Sequence, residues 1–312
     1  MNPAATDPDA EHRTRDRVAA RVVGRSGELE LLSAALSAGR DVLLEGPPGT
    51  SKSTLLRAIA GEWGVPMFLV EGNADLTPSV MIGHHSPSQV LASGYSAASF
   101  IPGPLVDAMT QGGILYVEEF NRAPEDTINA LLAAMSERRV MVPRVGTFAA
   151  ENGFRLIASM NVFDNLGTSR LSTSILDRMC RLSVDYQSQS EEQEIVARHL
   201  GDRDSHTVVD AVAITRATRS WPDVRQGSSV RGAIDVAMVV ERLAAMRQVA
   251  IPSVTDPGAH HQPGYVQVLR DATRLGLSGR VHLHRGAEIT VEEILDQILD
   301  QYFAPALGRA PG

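Results

Sequence analysis

The chain has few of the features that mark secreted, membrane-spanning or nucleic-acid-binding proteins. A single cysteine, Cys180, occurs in 312 residues, so no internal disulfide can form and a reducing, cytoplasmic setting is expected. No Cys/His cluster has metal-ligand spacing, and we therefore expect Cys180 to be a buried apolar thiol. No apolar run approaches the roughly 20 residues of a membrane span, and the polar N-terminus does not resemble a signal peptide.

Positive charge is also scarce. The chain has 29 Lys and Arg against 37 Asp and Glu, a net charge of −8. Proteins that mainly grip nucleic acid usually carry a basic domain, so this balance disfavours that class of partner. The hydrophobic fraction of 43% and the charged fraction of 21% are typical of a globular protein. The length predicts about two domains.

Strands and helices alternate in the first part of the chain. Residues 1–20 lack apolar periodicity and are expected to form a disordered tail. After them, short apolar runs predict five strands separated by amphipathic helices. These strands are Asp41–Glu45, Pro66–Val70, Ile114–Val117, Arg155–Met160 and Arg181–Val184. The alternation predicts an α/β domain over residues 21–188, an open sheet with helices on both faces.

The second part of the chain has helical spacing only. After about Gln189 we expect no further strands and a helical domain over residues 189–312. Its predicted helices are Glu191–Leu200, Val208–Thr218, Val230–Met246 and Val291–Tyr302. The stretch 251–264 is rich in Pro, Gly and His and predicts a loop. A metal role for its His260 and His261 stays open, although no third ligand has usable spacing.

The sequence GPPGTSKS, Gly46–Ser53, follows the first predicted strand and opens a helix, which is the setting of a phosphate-binding loop. Backbone N–H groups and the helix dipole favour an anion at such a turn. Because Pro47 and Pro48 lack an N–H, the donors must begin at Gly49. The predicted nucleotide contacts of this segment are Gly46, Pro47, Pro48, Gly49, Thr50, Ser51, Lys52, Ser53 and Thr54.

Two side chains of the loop have specific predicted roles. Lys52 is expected to reach the β- and γ-phosphates, and the Ser53 hydroxyl to bind Mg²⁺. The strict motif has glycine where this chain has Ser51. A small residue can occupy this position if its backbone is near-helical, and we therefore expect the loop to bind phosphate.

Two adjacent carboxylates, Glu118 and Glu119, directly follow the strand Ile114–Val117. Such close like charges raise each other's pKa, so the pair requires a cation or full solvation. Beside a phosphate loop, Glu118 is predicted to hold the Mg²⁺ shell and Glu119 to orient or deprotonate the attacking water. Two solvated acids at a strand end are the alternative. Glu118 replaces the usual Asp and is one methylene longer, which leaves the hydrolysis rate open.

Three further polar residues are candidates for the site. Asn161 follows the strand Arg155–Met160, and its amide can hold the same water, although a simple Asn turn is the alternative. Arg178, in Leu-Asp-Arg before the fifth strand, is an arginine finger if it reaches a neighbouring subunit's nucleotide. Arg231 opens a helix of the second domain and could contact the γ-phosphate.

The order of these motifs resembles the AAA+ ATPases and, more narrowly, their MoxR-like branch. The resemblance covers about residues 22–303. The pieces that carry it are GPPGTSKS, DLTPS (Asp75–Ser79), FIPGPL (Phe100–Leu105), EEFNRAP (Glu118–Pro124), SMN and LDR.

The resemblance implies a sheet of order 5-1-4-3-2, a helical lid and a ring, commonly a hexamer. It also implies an insertion at Gly83–Ser99 and a hairpin at Arg139–Thr147, elements that face the pore or a partner in such proteins. The adenine site is implied to lie at Val22, Val23 and Gly24. In these terms Asn161 is the first sensor, Arg178 the finger and Arg231 the second sensor.

The family resemblance further implies a chaperone that uses Mg-ATP. Its members work beside a partner with a von Willebrand factor A domain and mature, insert metal into or remodel another protein. A nucleotide-gated scaffold with little hydrolysis is one alternative. A nucleic-acid motor is another, which the acidic charge disfavours. The sequence does not identify the client protein.

Overall fold

The computed structural model describes residues 17–18, 21–161, 173–202, 204–256 and 261–304. The chain forms two compact units. The first comprises Met1–Pro47 and Ser51–Asp185, and the second comprises Tyr186–Gly312 together with Pro48–Thr50.

The first unit is built on a parallel sheet. The strands of the whole unit are β1 (Val42–Glu45), β2 (Met67–Glu71), β3 (Gly83–His85), β4 (Phe100–Pro102), β5 (Ile114–Glu118), β6 (Arg139–Val142), β7 (Gly146–Ala149), β8 (Arg155–Met160) and β9 (Cys180–Ser183). Five of them pair in parallel in the order β2-β5-β8-β1-β9. Counted along the chain this is the expected order 5-1-4-3-2, because β5, β8 and β9 are the third, fourth and fifth sheet strands.

The remaining strands of this unit form two small antiparallel pairs. β3, which opens the predicted insertion Gly83–Ser99, pairs with β4 directly after that segment, and β6 pairs with β7 as a hairpin before β8. The helices of the unit are α1 (Ser26–Ser37), α2 (Lys52–Trp63), α3 (Pro78–Ile82), α4 (Pro87–Ser93), α5 (Pro104–Gln111), α6 (Glu125–Glu137) and α7 (Thr173–Leu176).

Both faces of the parallel sheet are buried. Alternate strand residues enter two separate cores, so that Leu43 belongs to one and Leu44 to the other. α5 and α6 cover the first face through side chains such as Leu105 and Leu131. α1 and α2 cover the second face through side chains such as Leu32 and Leu56. Burial on both faces explains why the strands have continuous apolar runs rather than alternation.

The second unit is mainly helical. Its helices are α8 (Gln189–Leu200), α9 (His206–Ser220), α10 (Val230–Arg247), α11 (Pro263–Leu277) and α12 (Val291–Phe303). The Thr290 hydroxyl and the Glu293 carboxylate close a capping box at the start of α12. At the centre of the unit the carboxylate of Asp210, which is fully buried, accepts hydrogen bonds from Tyr265 Oη at 2.8 Å and Tyr302 Oη at 2.6 Å.

Two expectations for the second part of the chain were wrong. Strands do continue there, because β10 (Val224–Gln226) pairs with β11 (His282–Leu283). With three and two residues, they are too short to give a periodic signal. The predicted loop 251–264 ends early, since α11 begins at Pro263. Proline at the first helical position was an available signal for this start.

Cys180 was predicted to be buried and is exposed. It opens β9, the last strand in the sheet order, and within the described part of the chain only β1 pairs with this strand, so Cys180 lies at the sheet's edge. Within the predicted tail, Arg17 and Val18 are helical and Val18 is buried in the core. The rest of that tail, 1–16 and 19–20, lies outside the described residues. So does His260.

His261 is exposed, and its ring packs edge-on against Phe303, with the centroids 5.7 Å apart. Among the residues that the structure describes, no group of three or more His, Cys, Asp or Glu side chains could hold a metal ion. In the same ranges, no helix has the length and apolarity needed to cross a membrane.

Candidate functional site

The predicted phosphate loop leaves the carboxyl end of β1 and enters α2. Gly46 has φ +155°, and a Cβ at this position would lie 1.9 Å from the carbonyl oxygen of Val184. Only glycine therefore fits between the loop and the chain that follows β9. Lys52 Nζ donates to the Gly46 carbonyl at 2.9 Å and to the Pro47 carbonyl at 2.7 Å. These contacts hold the ammonium group against the loop.

The condition stated for Ser51, a near-helical backbone, is not met. Ser51 has φ 64° and ψ 18°, which is the left-handed region, and it forms the N-cap of α2. This conformation explains why the strict motif has glycine here, because a side chain in this region costs about 1–2 kcal/mol. Serine is accommodated with that strain as the loop turns into the helix.

The first turn of α2 meets the end of β5. Ser53 Oγ donates a hydrogen bond to Glu118 Oε1, so the two predicted metal ligands are in contact. Mg²⁺ prefers oxygen ligands and is usually held by one or two carboxylates together with the phosphates of its nucleotide. A hydroxyl and a carboxylate side by side, next to a phosphate loop, fit that cation.

A buried tyrosine completes this group of polar side chains. Tyr116 on β5 is fully buried, and its hydroxyl donates to Ser159 Oγ on β8 at 3.0 Å. Burial raises the pKa of this phenol to about 12, with smaller influences from Ser159, Glu118 and Ser53, so the phenol stays protonated at neutral pH. The sequence reasoning missed Tyr116 and Ser159. The signal was a single hydroxyl-bearing residue within each apolar strand.

Glu119, the predicted base, lies just beyond the end of β5. Its backbone is left-handed, with φ 51° and ψ 41°, and this turns the chain away from the sheet. Its carboxylate forms an ion pair with Arg122 Nη1 at 2.6 Å. Gly72, after β2, donates its N–H to the Glu118 carbonyl at 2.7 Å. A Cβ on Gly72 would lie 2.3 Å from the Glu119 carbonyl oxygen, so glycine is required there too.

Two other predicted residues also belong to the first unit. Asn161 follows β8, which lies between β1 and β5, so it shares the sheet edge with the loop and the glutamates. Arg178 is exposed and donates to Ser136 Oγ at 2.9 Å and to the Ser174 carbonyl at 2.7 Å. Its contacts are therefore with α6 and α7.

The predicted adenine residues precede α1. Gly24 has φ 67° in the turn that includes Val23. The next residue, Arg25, is buried and donates to the Asp185 carbonyl at 2.5 Å, which fixes this turn. Arg231 is in the second unit, exposed at the N-terminal end of α10.

Comparison with known proteins agrees with this fold and these motifs. The family model for the AAA domain of the dynein-related subfamily matches residues 41–179. The uncharacterized protein YojN of Bacillus subtilis is 31% identical over 154 residues, 49% of this chain and 50% of YojN. The match thus spans only half the length of that relative.

Two longer matches have names that describe a function. The gas vesicle ATPase GvpN of Haloferax mediterranei is 27% identical over 71% of this chain and 67% of its own. The denitrification regulatory protein NirQ of Stutzerimonas stutzeri is 27% identical over 74% of this chain and 82% of its own.

A solved structure supports the fold. The crystal structure of a putative ATPase from Cytophaga hutchinsonii covers 93% of both chains with a TM-score of 0.52 at 20% identity. The sheet order, the phosphate loop at the end of β1 and the acidic pair at the end of β5 agree with these matches. These findings support a MoxR-like AAA+ ATPase, with the AAA domain matched over residues 41–179.

Proposed function

We propose that this protein hydrolyses Mg-ATP to remodel or mature a client protein as a MoxR-like chaperone. The observation that carries the proposal is the hydrogen bond from Ser53 to Glu118, which brings the loop and the acidic strand end together. When bound, Mg²⁺ supplies positive charge that neutralises the phosphates. Ser53 and Glu118 are the residues that would hold it.

The chain's other residues have distinct tasks in this proposal. Lys52 binds the phosphates in place of the loop carbonyls that it now contacts. Glu119 orients or deprotonates the attacking water, with Asn161 holding the same water. Arg231 acts as a second sensor of the γ-phosphate, and Val23 and Gly24 border the adenine.

Arg178 is proposed to act on the nucleotide of a neighbouring subunit in a ring of six copies, the assembly that the family resemblance implies. Its exposed position and its contacts with Ser136 and Ser174 on α6 and α7 support a role at the outer surface of its own subunit. We further propose that the protein works with a partner that has a von Willebrand factor A domain, and that it acts on a client protein that is not identified.

The test is Mg-ATP turnover per subunit as the protein concentration is raised. Wild type should gain specific activity with concentration, and Arg178→Ala should stay low at every concentration. Arg198→Ala is the control, because Arg198 is a surface arginine paired with Glu194 on α8, and it should follow wild type. Equal activity of Arg178→Ala and wild type would overturn the shared site.

A nucleotide-gated scaffold is the second candidate. The ion pair between Glu119 and Arg122 favours it, because a base engaged by an arginine is less available to water. Slow turnover that is unchanged in Glu119→Gln would support the scaffold. Turnover abolished in Glu119→Gln, with nucleotide binding intact, would eliminate it.

A further inference from the structure

The hydroxyl of Tyr116 lies at the centre of a polar cluster inside the first unit. Tyr116 is fully buried and Ser159 is 4% exposed. The cluster joins three elements, since Ser53 belongs to α2, Tyr116 and Glu118 to β5, and Ser159 to β8. A hydroxyl buried between apolar sheet layers is retained only where its hydrogen bonds compensate for lost hydration.

The two strands that carry this cluster are fixed by pairing. Tyr116 pairs with Ile157 in the parallel register of β5 and β8, which brings Ser159 within reach of the phenol. Ser159 Oγ accepts a hydrogen bond from Tyr116 Oη, with 3.0 Å between the two oxygens. The hydroxyl is thereby held on the face of β5 that also carries Glu118, two residues further along the strand, and Glu118 in turn accepts the hydrogen bond from Ser53.

We propose that Tyr116 is a positioning residue that orients Glu118 and Ser53 for Mg²⁺, a role that rests on the proposed function of these two side chains. The longer Glu118 side chain has one more rotatable bond than the usual Asp, so its carboxylate needs more restraint. Residues that orient metal ligands in this way commonly change metal affinity 10- to 100-fold when they are removed. Tyr116 touches neither the nucleotide nor the water in this proposal.

The test measures metal-assisted nucleotide binding rather than turnover. A fluorescent ATP analogue is titrated onto Glu119→Gln, with EDTA and then with increasing Mg²⁺. Adding Tyr116→Phe should raise the Mg²⁺ concentration for half-maximal effect about tenfold. Its affinity in EDTA should not change, because the phosphate loop is intact.

Two further variants separate orientation from packing. Ser159→Ala should shift the same Mg²⁺ midpoint in the same direction, and its effect should not add to that of Tyr116→Phe, because both act through one hydroxyl. Tyr265→Phe is the matched control. It removes an equally buried tyrosine hydroxyl in the second unit and should leave the Mg²⁺ midpoint unchanged.

The outcomes distinguish the two proposals. An unchanged Mg²⁺ midpoint in Tyr116→Phe, or an equal loss of affinity with EDTA, would overturn the role of Tyr116 alone. If Glu119→Gln binds the analogue equally with and without Mg²⁺, the metal site at Ser53 and Glu118 fails as well.

Discussion

Replacing Gly46 by alanine is expected to lower the free energy of unfolding of the first unit by about 2–6 kcal/mol. The new Cβ would lie 1.9 Å from the Val184 carbonyl oxygen, a backbone atom that cannot turn aside. Overpacking of this kind costs about 1–3 kcal/mol. The backbone at φ +155° adds strain of about 1–3 kcal/mol for any L side chain.

Two other glycines of the same unit separate these contributions. Gly64, the C-cap of α2, has φ +63° with nothing within 4 Å of a Cβ, so Gly64→Ala should cost only the strain, about 1 kcal/mol. Gly27 has neither a close neighbour nor a positive φ. Since it lies in α1, Gly27→Ala should be neutral or stabilise by up to about 1 kcal/mol.

The assay is urea unfolding of the whole chain followed by circular dichroism, with the three variants and wild type compared at equal m-values. From the most to the least stable, the expected order is Gly27→Ala, wild type, Gly64→Ala and Gly46→Ala. A Gly46→Ala variant as stable as Gly64→Ala would refute the reasoning. It would show that the loop can move away from Val184 at no cost.

Three other results are expected. Lys52→Ala should weaken binding of a fluorescent ATP analogue about 10- to 100-fold, the effect of losing charged hydrogen bonds, with little change in the melting temperature. Asp210→Ala should lower the free energy of unfolding by at least about 1–3 kcal/mol in urea, because the buried Tyr265 hydroxyl loses its acceptor. Hydrogen bonds from Arg274 and then Arg270 lower the pKa of Asp296, so the ionised carboxylate stabilises the folded protein. This contribution to the free energy of unfolding is complete above about pH 4 and is lost as the pH falls through the lowered pKa. Asp296→Asn should therefore have a lower urea midpoint than wild type at pH 6, and the two midpoints should converge as the solution is acidified.

The sheet strands could be predicted from the sequence because their signals are local, whereas their order was implied by the family resemblance. Each strand is an apolar run bounded by turn residues. The order of the motifs along the chain indicated the family, and the family indicated the strand order. The same local logic would have found α11, where Tyr265, Val268, Leu269 and Ala272 are buried at helical spacing. The residues before Pro263 are rich in Pro, Gly and His, and this composition predicted a loop that continued to residue 264.

The geometry of the site was less predictable because it depends on contacts between distant segments. The hydrogen bond from Tyr116 to Ser159 follows from the register of two strands whose first paired residues, Ile114 and Arg155, are 41 positions apart in the sequence. The left-handed backbone of Ser51 reflects the path of the loop rather than its residue type. The ion pair of Glu119 with Arg122 is different, because the two residues are only three positions apart and opposite charges at this spacing are a local signal that the sequence analysis did not use.

The exposed Cys180 gives the protein a practical handle. As the one thiol in 312 residues, it can be coupled to a maleimide dye without any other cysteine being removed. The dye would sit two residues from Arg178, so its fluorescence would report on events beside the proposed finger. The same exposure means that two molecules can be joined through their thiols in air, and preparations therefore require a reductant if the oligomer observed is to be the non-covalent one.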